Sequence, residues 1–295
     1  MSARSAPGAP IRALRLGEPD YPARLVDDIE PPTVLYACGD LGALTPRSVA
    51  VVGTRRCTGS GAGFARELGR ELTGAGIGVV SGLALGIDGA AHRGVLDAAG
   101  APIGVVGSGL DVVYPVRHRD LWAEVSGRGL LLSEAAAGTP PAPWRFPARN
   151  RIIAALADLV IVVESHATGG SMHTVREAAD RGIQVMAVPG SVRSPASAGT
   201  NQLLADGCAP VRDVTDVLVA LGLSTIRHPT GGEERPAPQG VEGRVLAELA
   251  GEPATLEHLV VRTGLTLPEV AMALEGLAAH GWLAGSGGWY EAVAP

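Results

Sequence analysis

The feature that most restricts this chain is a pattern repeated between residues 48 and 190. A short Val/Ile-rich run ends in glycine and gives way to an Ala/Arg/Glu stretch of helical character, again and again. The runs at 49–52, 78–80, 103–106, 130–132, 159–163 and 185–188 are apolar throughout and do not alternate with polar residues. A strand covered on one face alternates, whereas a strand covered on both faces reads as a continuous apolar run. Helical stretches are expected at 63–73, 86–98, 150–157 and 171–181. Alternating strands and helices specify an α/β fold built on an open, mostly parallel sheet. Ligands of such sheets lie at the carboxyl ends of the strands, where glycine turns lead into helices.

The pattern stops after residue 222. Residues 223–240 (LSTIRHPTGGEERPAPQG) are rich in Pro, Gly and charge and read as a linker. Helical patterns follow at 241–250, 255–262 and 268–280, with Thr266 and Glu269 forming a capping-box signature for the third. The closing WLAGSGGWYEAV reads as a two-stranded hairpin with Ser-Gly-Gly at its tip. Three helices and a hairpin make residues 241–295 a small C-terminal winged-helix domain, behind a main domain at 48–222. Residues 1–47 read as a lead-in packed on that main domain. The winged helix carries two arginines against seven glutamates, and its third helix has Glu269 and Glu275 but no arginine. DNA phosphates repel such a helix, so protein docking or plain packing is the expected role.

Composition removes several function classes. Every one of the 24 basic residues is arginine, and without lysine neither a P-loop ATPase nor a Schiff-base enzyme is possible. Cys38, Cys57 and Cys208 are far apart, which fits a reducing compartment and excludes a disulfide framework or zinc cluster. No metal or cofactor is expected. The first residues lack the apolar core of a signal peptide, and the run 152–163 is interrupted by Asp158 and too short to span a bilayer. A cytoplasmic protein with no membrane association is the expectation.

Four segments carry candidate chemistry. The first strand ends in Gly53-Thr54-Arg55-Arg56, and Thr58-Gly-Ser-Gly61 opens a helix. Glycine admits an anion to the backbone, a helix N-terminus offers N–H groups, and arginine forks onto phosphate. An ordinary strand-to-helix turn is the alternative. The segment lacks a GxGxxG order, and no acid ends the second strand at Val80-Ser81-Gly82, so it is no dinucleotide fingerprint. Next, Asp88 opens a helix with His92 one turn on, either as an acid/base pair or as a cap with an orienting hydrogen bond. Third, Trp144-Arg145-Phe146-Pro147-Ala148-Arg149-Asn150-Arg151 is the most basic stretch of the chain. Its aromatics suit base stacking, or else are tucked into the core, and arginines two apart cannot share a helix face. Finally, Gly169-Gly170-Ser171 makes a backbone nest, with Val188-Pro189-Gly190 and Gly199-Thr200-Asn201-Gln202 expected at the same sheet edge.

Taken in order, AVVGTRRCTGSG, VVSGLALGIDGAAHRGVL, GSGLDVVYP, LLSE, FPARNRIIAALAD, IVVESHATGGSMHT, VMAVPG and GTNQLLADG resemble the DprA/Smf family of DNA-processing proteins over residues 20–220. The resemblance implies an extended Rossmann-like domain that binds single-stranded DNA without sequence preference, forms a homodimer and hands the strand to the RecA recombinase. It implies a role in natural transformation and recombination, with no catalytic reaction. Carried onto this sequence, the family's motifs fall on Gly53, Thr54 (where serine is usual) and Arg55; on Phe146, Arg149, Asn150 and Arg151; and on Gly169, Gly170 and Ser171. With so few arginines, a site of a few nucleotides per protomer is expected. The stretch 211–223 is an apolar candidate for a dimer surface, and burial within the main domain explains it equally well. An alternative is a nucleotide phosphoribohydrolase of a related fold, whose PGGxGTxxE motif matches poorly at Gly169–Glu177. A scaffold with vestigial turns is the third reading.

Overall fold

The computed structural model of the chain describes residues 10–44, 47–223, 238–249, 253–280, 282–286 and 289–292. The chain divides into two compact units, Met1–Thr225 and Ile226–Pro295. In the first unit the strands are β1 (Arg12–Arg15), β2 (Val34–Gly39), β3 (Ser48–Val52), β4 (Gly78–Ser81) and β5 (Ile103–Val105). They continue with β6 (Leu130–Ser133), β7 (Leu159–Val162), β8 (Gln184–Ala187) and β9 (Ala209–Pro210). The helices are α1 (Ala23–Val26), α2 (Gly59–Gly74), α3 (Ile87–Asp97), α4 (Arg119–Arg128), α5 (Arg145–Ala155), α6 (Ser171–Asp180), α7 (Ala198–Ala205) and α8 (Val214–Ala220).

One sheet holds all nine strands in the order β1-β2-β6-β5-β4-β3-β7-β8-β9. Pairing from β6 through β9 is parallel, and only β2 runs against its neighbours. The expected open α/β sheet is therefore present. Because side chains alternate across a strand, β3 supplies both cores. Ala50 and Val52 pack on the face covered by α5, α6 and α7, and Val49 and Val51 on the face covered by α2, α3 and α8. Trp122 and Val125 of α4 extend the second layer around Leu83 and Leu131. In the stretch 211–223, Val211, Val217 and Leu221 are core residues, while Val219 faces outward.

Residues 12–15 and 34–39 join the sheet as β1 and β2, and Tyr21 and Leu25 between them are buried in the core. Ion pairs from Arg24, Asp28 and Glu30 fix the segment, two of them closely. Arg24 donates to both oxygens of Asp158, which also accepts the N–H of Ser48 at the start of β3. Arg181, just past α6, is buried against Asp28 at 2.7 Å and also bonds Glu177. Helix α5 begins at Arg145, five residues before the expected start at 150. Pro147 falls in its first turn, where a missing N–H has no intrahelical partner to lose.

The second unit consists of α9 (Gly240–Leu249), β10 (Ala254–Thr255), α10 (Leu256–Thr263), α11 (Leu267–Ala279), β11 (Leu283–Ser286) and β12 (Trp289–Ala292). Its strands pair as β10-β12-β11, antiparallel, beside a core centred on Val245, Leu259, Val270 and Leu277. This is the expected winged helix. Glu269 accepts the N–H and hydroxyl of Thr266, completing the capping box. The exposed side of α11 carries Glu269, Met272 and Glu275. The expected linker falls almost wholly on residues 224–237, and the hairpin tip on 287–288, outside the described residues. Among the described residues, no helix is long and apolar enough to cross a membrane, and Cys38, Cys57 and Cys208 form no disulfide with one another.

The Arg181–Asp28 pair yields a stability prediction. Burial alone pushes the Asp28 carboxyl up, but the Arg181 hydrogen bond holds its pKa below the usual range. Arg181→Ala leaves a buried carboxylate unpaired and should cost about 3–5 kcal/mol in urea unfolding. A group with a depressed folded pKa stabilises above its unfolded pKa and loses that contribution as pH falls through the folded one. The unfolded state is common to both, so the difference between wild type and variant should shrink as pH falls from the burial-raised pKa of the unpaired Asp28 in the variant, above the usual carboxylate range, towards its depressed value in wild type.

Candidate nucleic-acid interface

Three strand ends, β3, β4 and β5, open into one cleft. Gly53 leaves β3 where no side chain fits: a Cβ there would stand 2.6 Å from Ile87 and 2.8 Å from the Glu164 carbonyl. Thr54 N–H donates to that carbonyl at 2.7 Å, which leaves the next residue, Arg55, exposed. Its guanidinium lies 4.8 Å from the centroid of the Phe146 ring, and that ring stands 5.4 Å from Tyr114. Arg55, Gly82, Leu85, Ser108, Tyr114, Phe146 and Arg149 line the cleft, which is open to solvent. A cation over a ring face, open to solvent, suits a ligand that has both a phosphate and a base.

Arg149 is buried, and it holds the turn after β4. Its Nη1 donates to the Gly82 carbonyl at 2.7 Å and to the Val105 carbonyl at the end of β5. Gly82 N–H donates to Asp88 at 3.1 Å, and His118 Nδ1 donates to the Leu83 carbonyl at 3.1 Å. Leu83 between them has φ +56°, a conformation that costs about 1–3 kcal/mol and persists only when the surroundings impose it. Asp88 therefore does not cap its own helix. Gly86 occupies the N-cap, and the Asp88 carboxylate takes N–H groups of the preceding loop instead. Burial pushes the Asp88 pKa up, against the pull of Arg149, the Ala84 and Gly82 N–H groups, and Arg55. Burial lowers Arg149 to about 10, which still leaves it charged at neutral pH.

The expected Asp88–His92 hydrogen bond does not form, because neither ring nitrogen of the fully buried His92 has a partner. Burial pushes its pKa down to about 3, with the Ile103 backbone opposing and His118 and Arg149 adding to the fall. A neutral, enclosed imidazole is a core group.

The remaining motif residues divide. Asn150 is buried, and Arg151 is engaged by Glu134 at 2.6 Å and Glu30 at 3.5 Å. Gly169, Gly170 and Ser171 lie beyond β7 and are not part of the cleft lining. Ser171 donates to the Ser165 hydroxyl at 2.8 Å, Gly199 N–H to the Ser165 carbonyl at 2.7 Å, and the Asn201 amide brackets Gly190. The turns at 169, 190 and 199 thus converge as expected, at the ends of β7 and β8. The anion site expected at 58–61 is already filled. The Glu164 carboxylate accepts the Thr58 N–H at 2.8 Å and its hydroxyl at 2.6 Å, placing the chain's own negative charge at the positive end of α2. Sequence reasoning passed over Glu164 and Tyr114. An aromatic following a Gly-Ser-Gly turn was the available signal for Tyr114.

Comparison with known proteins places this geometry. The family model described as DNA recombination-mediator protein A matches residues 12–222, and a DprA winged helix domain model matches 230–277. Protein Smf of Escherichia coli is 35% identical over 92% of this chain and 74% of its own length. A putative DNA processing protein DprA of Mycobacterium tuberculosis is 40% identical over 82% of the chain, which spans 61% of that protein. Among solved structures, DprA of Streptococcus pneumoniae superposes with TM-score 0.68 at 38% identity, over 71% of this chain and 74% of that one. DprA of Helicobacter pylori, known for a single-stranded DNA binding mode, gives TM-score 0.66 at 31% identity, over 74% of this chain and 98% of that one. With its sheet unit and its winged helix both matched, the chain belongs to the family of DNA recombination-mediator protein A, the DprA/Smf DNA-processing proteins.

Proposed function

We propose that this protein binds single-stranded DNA without sequence preference, through the cleft at the ends of β3, β4 and β5. The observation that carries this reading is Arg55, exposed and held over Phe146 with Tyr114 alongside. The guanidinium meets a phosphate and the rings meet a base face. Neither reads a base edge, which makes binding tolerant of sequence. The single-stranded DNA binding of the Helicobacter pylori relative supports it. Arg149, Asn150 and Arg151 support the cleft from beneath, while Gly169, Gly170 and Ser171 shape the neighbouring strand end.

The reading is of a binding protein and not an enzyme, and the buried, neutral His92, whose ring nitrogens have no hydrogen-bond partner, supports it. Homodimerisation and delivery of the strand to RecA belong to the same proposal and rest on the family resemblance. Sedimentation tests the first. The rate of RecA assembly on a strand carrying this protein tests the second, and an unchanged rate overturns it.

The central test is fluorescence anisotropy of a labelled single strand, competed with duplex of the same sequence. Wild type should prefer the single strand. Arg55→Ala should weaken binding and flatten the log–log salt dependence by about 0.7, the value of one single-strand phosphate contact. An unchanged slope removes Arg55 from the site. Wild type that ignores DNA but releases base from a nucleoside monophosphate belongs with the phosphoribohydrolases instead.

Arg149 should behave differently from Arg55. Arg149→Ala leaves two buried carbonyls unpaired, each worth about 1–3 kcal/mol, and should lower the melting temperature, whereas Arg55→Ala should not. A stable Arg149→Ala that no longer binds DNA would place its guanidinium on the ligand.

A further inference from the structure

The strand-end surface has a second hollow beside the cleft, and Arg149 lies between the two. Val106, Gly107 and Arg149 line both. The second is a shallow, open hollow walled by Ser133, Glu134, Trp144 and Arg145. Resting on the single-strand reading above, we propose that this hollow is a second nucleotide subsite, which takes the neighbour of the nucleotide held at Arg55 and Phe146.

Three observations carry the assignment. The Arg145 guanidinium stands 4.3 Å from the Trp144 ring centroid, repeating the Arg55–Phe146 arrangement one hollow along. Trp144 is 64% exposed, although an indole of its size normally enters a core. With the guanidinium on one face, the remaining ring surface is open to a base. Arg149, only 7% exposed, has an Nε with no hydrogen-bond partner at the boundary of both hollows. An orphaned, buried, charged donor is costly to maintain and needs an acceptor.

The acidic wall does not oppose this. Glu134 is bonded by Arg151 at 2.6 Å, so its charge is offset before a phosphate arrives. The nucleotide stacks its base on the open face of Trp144 and directs its phosphate to Arg145. Trp144 therefore sets how many consecutive nucleotides one chain occludes.

The test titrates the full-length protein with labelled oligothymidylates that lengthen by one nucleotide at a time. Wild-type affinity should rise in two steps, one for each subsite. Trp144→Ala should abolish the later step and weaken binding of long strands by about 5- to 150-fold, as loss of one stacked base does, without changing the shortest oligomer that binds. Trp144→Phe should restore most of the later step. Arg55→Ala should weaken every length. If Trp144→Ala, shown folded by circular dichroism, binds all lengths as wild type does, the second subsite is refuted while the cleft stands. If wild type binds none of the oligomers, the single-strand reading fails and this subsite fails with it.

Discussion

The geometry of the strand-end surface depends on one buried guanidinium. Arg149 ties the turn after β4 to the end of β5, through the Gly82 and Val105 carbonyls. Both bonds leave one nitrogen, Nη1, whose hydrogens are fixed in the guanidinium plane; a lysine ammonium, with freely rotating donors, would not fix those directions. Without the arginine, the Gly82 and Val105 carbonyls would lose a buried donor, and the turn that carries Leu83 at its positive φ would lose one of its three supports. Asp88 and His118 act on the same turn from other sides, so its shape is imposed from three directions. The turn in turn fixes Leu85 in the cleft wall and starts α3, whose Ile87 forces glycine at position 53.

A division of labour among arginines follows. In a chain whose every basic residue is arginine, the same side chain must serve as core brace, ion-pair partner and ligand contact. Burial separates the roles. Arg149 and Arg181 are enclosed, and Arg151 is held by two carboxylates. Arg55 is lifted into solvent by the bond between the Thr54 N–H and Glu164. Glu164 does double duty, joining β7 to β3 through its backbone and closing the N-terminus of α2 with its carboxylate. A free carboxylate at that place would weaken any anion site; bonded to Thr58, it becomes part of the scaffold.

The sheet was legible because strands buried on both faces leave an unmistakable mark, and each predicted run lies within a residue or two of a strand. The winged helix was legible from helical periodicity and from the Thr266–Glu269 cap. The two strands at 12–39 were not. β1 is mostly exposed at the sheet edge, and the segment after it is pinned by ion pairs, Arg24 with Asp158 and Asp28 with Arg181, at sequence separations no local pattern reveals. The motif arginines were found, but not their directions. Arg149 and Arg151 are two residues apart on α5, and which way each points depends on the partners that the fold supplies, Gly82 and Val105 for one, Glu134 and Glu30 for the other. The Asp88–His92 pair failed for the same reason: helical spacing brought the two near each other, but the loop claimed the carboxylate first.

A near-neutral first unit is an odd scaffold for a polyanion until its charges are located. Arg24, Arg66, Arg151, Arg181 and Arg212 all face carboxylates at 2.5–2.8 Å, so most of the field they would project is cancelled at source. Among the arginines near the strand ends that face no carboxylate, Arg55 and Arg145 each lie on an aromatic ring. Few phosphate contacts mean a weak electrostatic term, leaving ring stacking as the main source of affinity. Stacking on a protein ring requires a base face that is not already covered by its neighbours, and a duplex offers none without being unstacked. On the proposed single-strand reading, selectivity would follow from the scarcity of free positive charge: a more basic surface would hold either form of DNA, whereas this one would gain most from a strand with bases open to stacking.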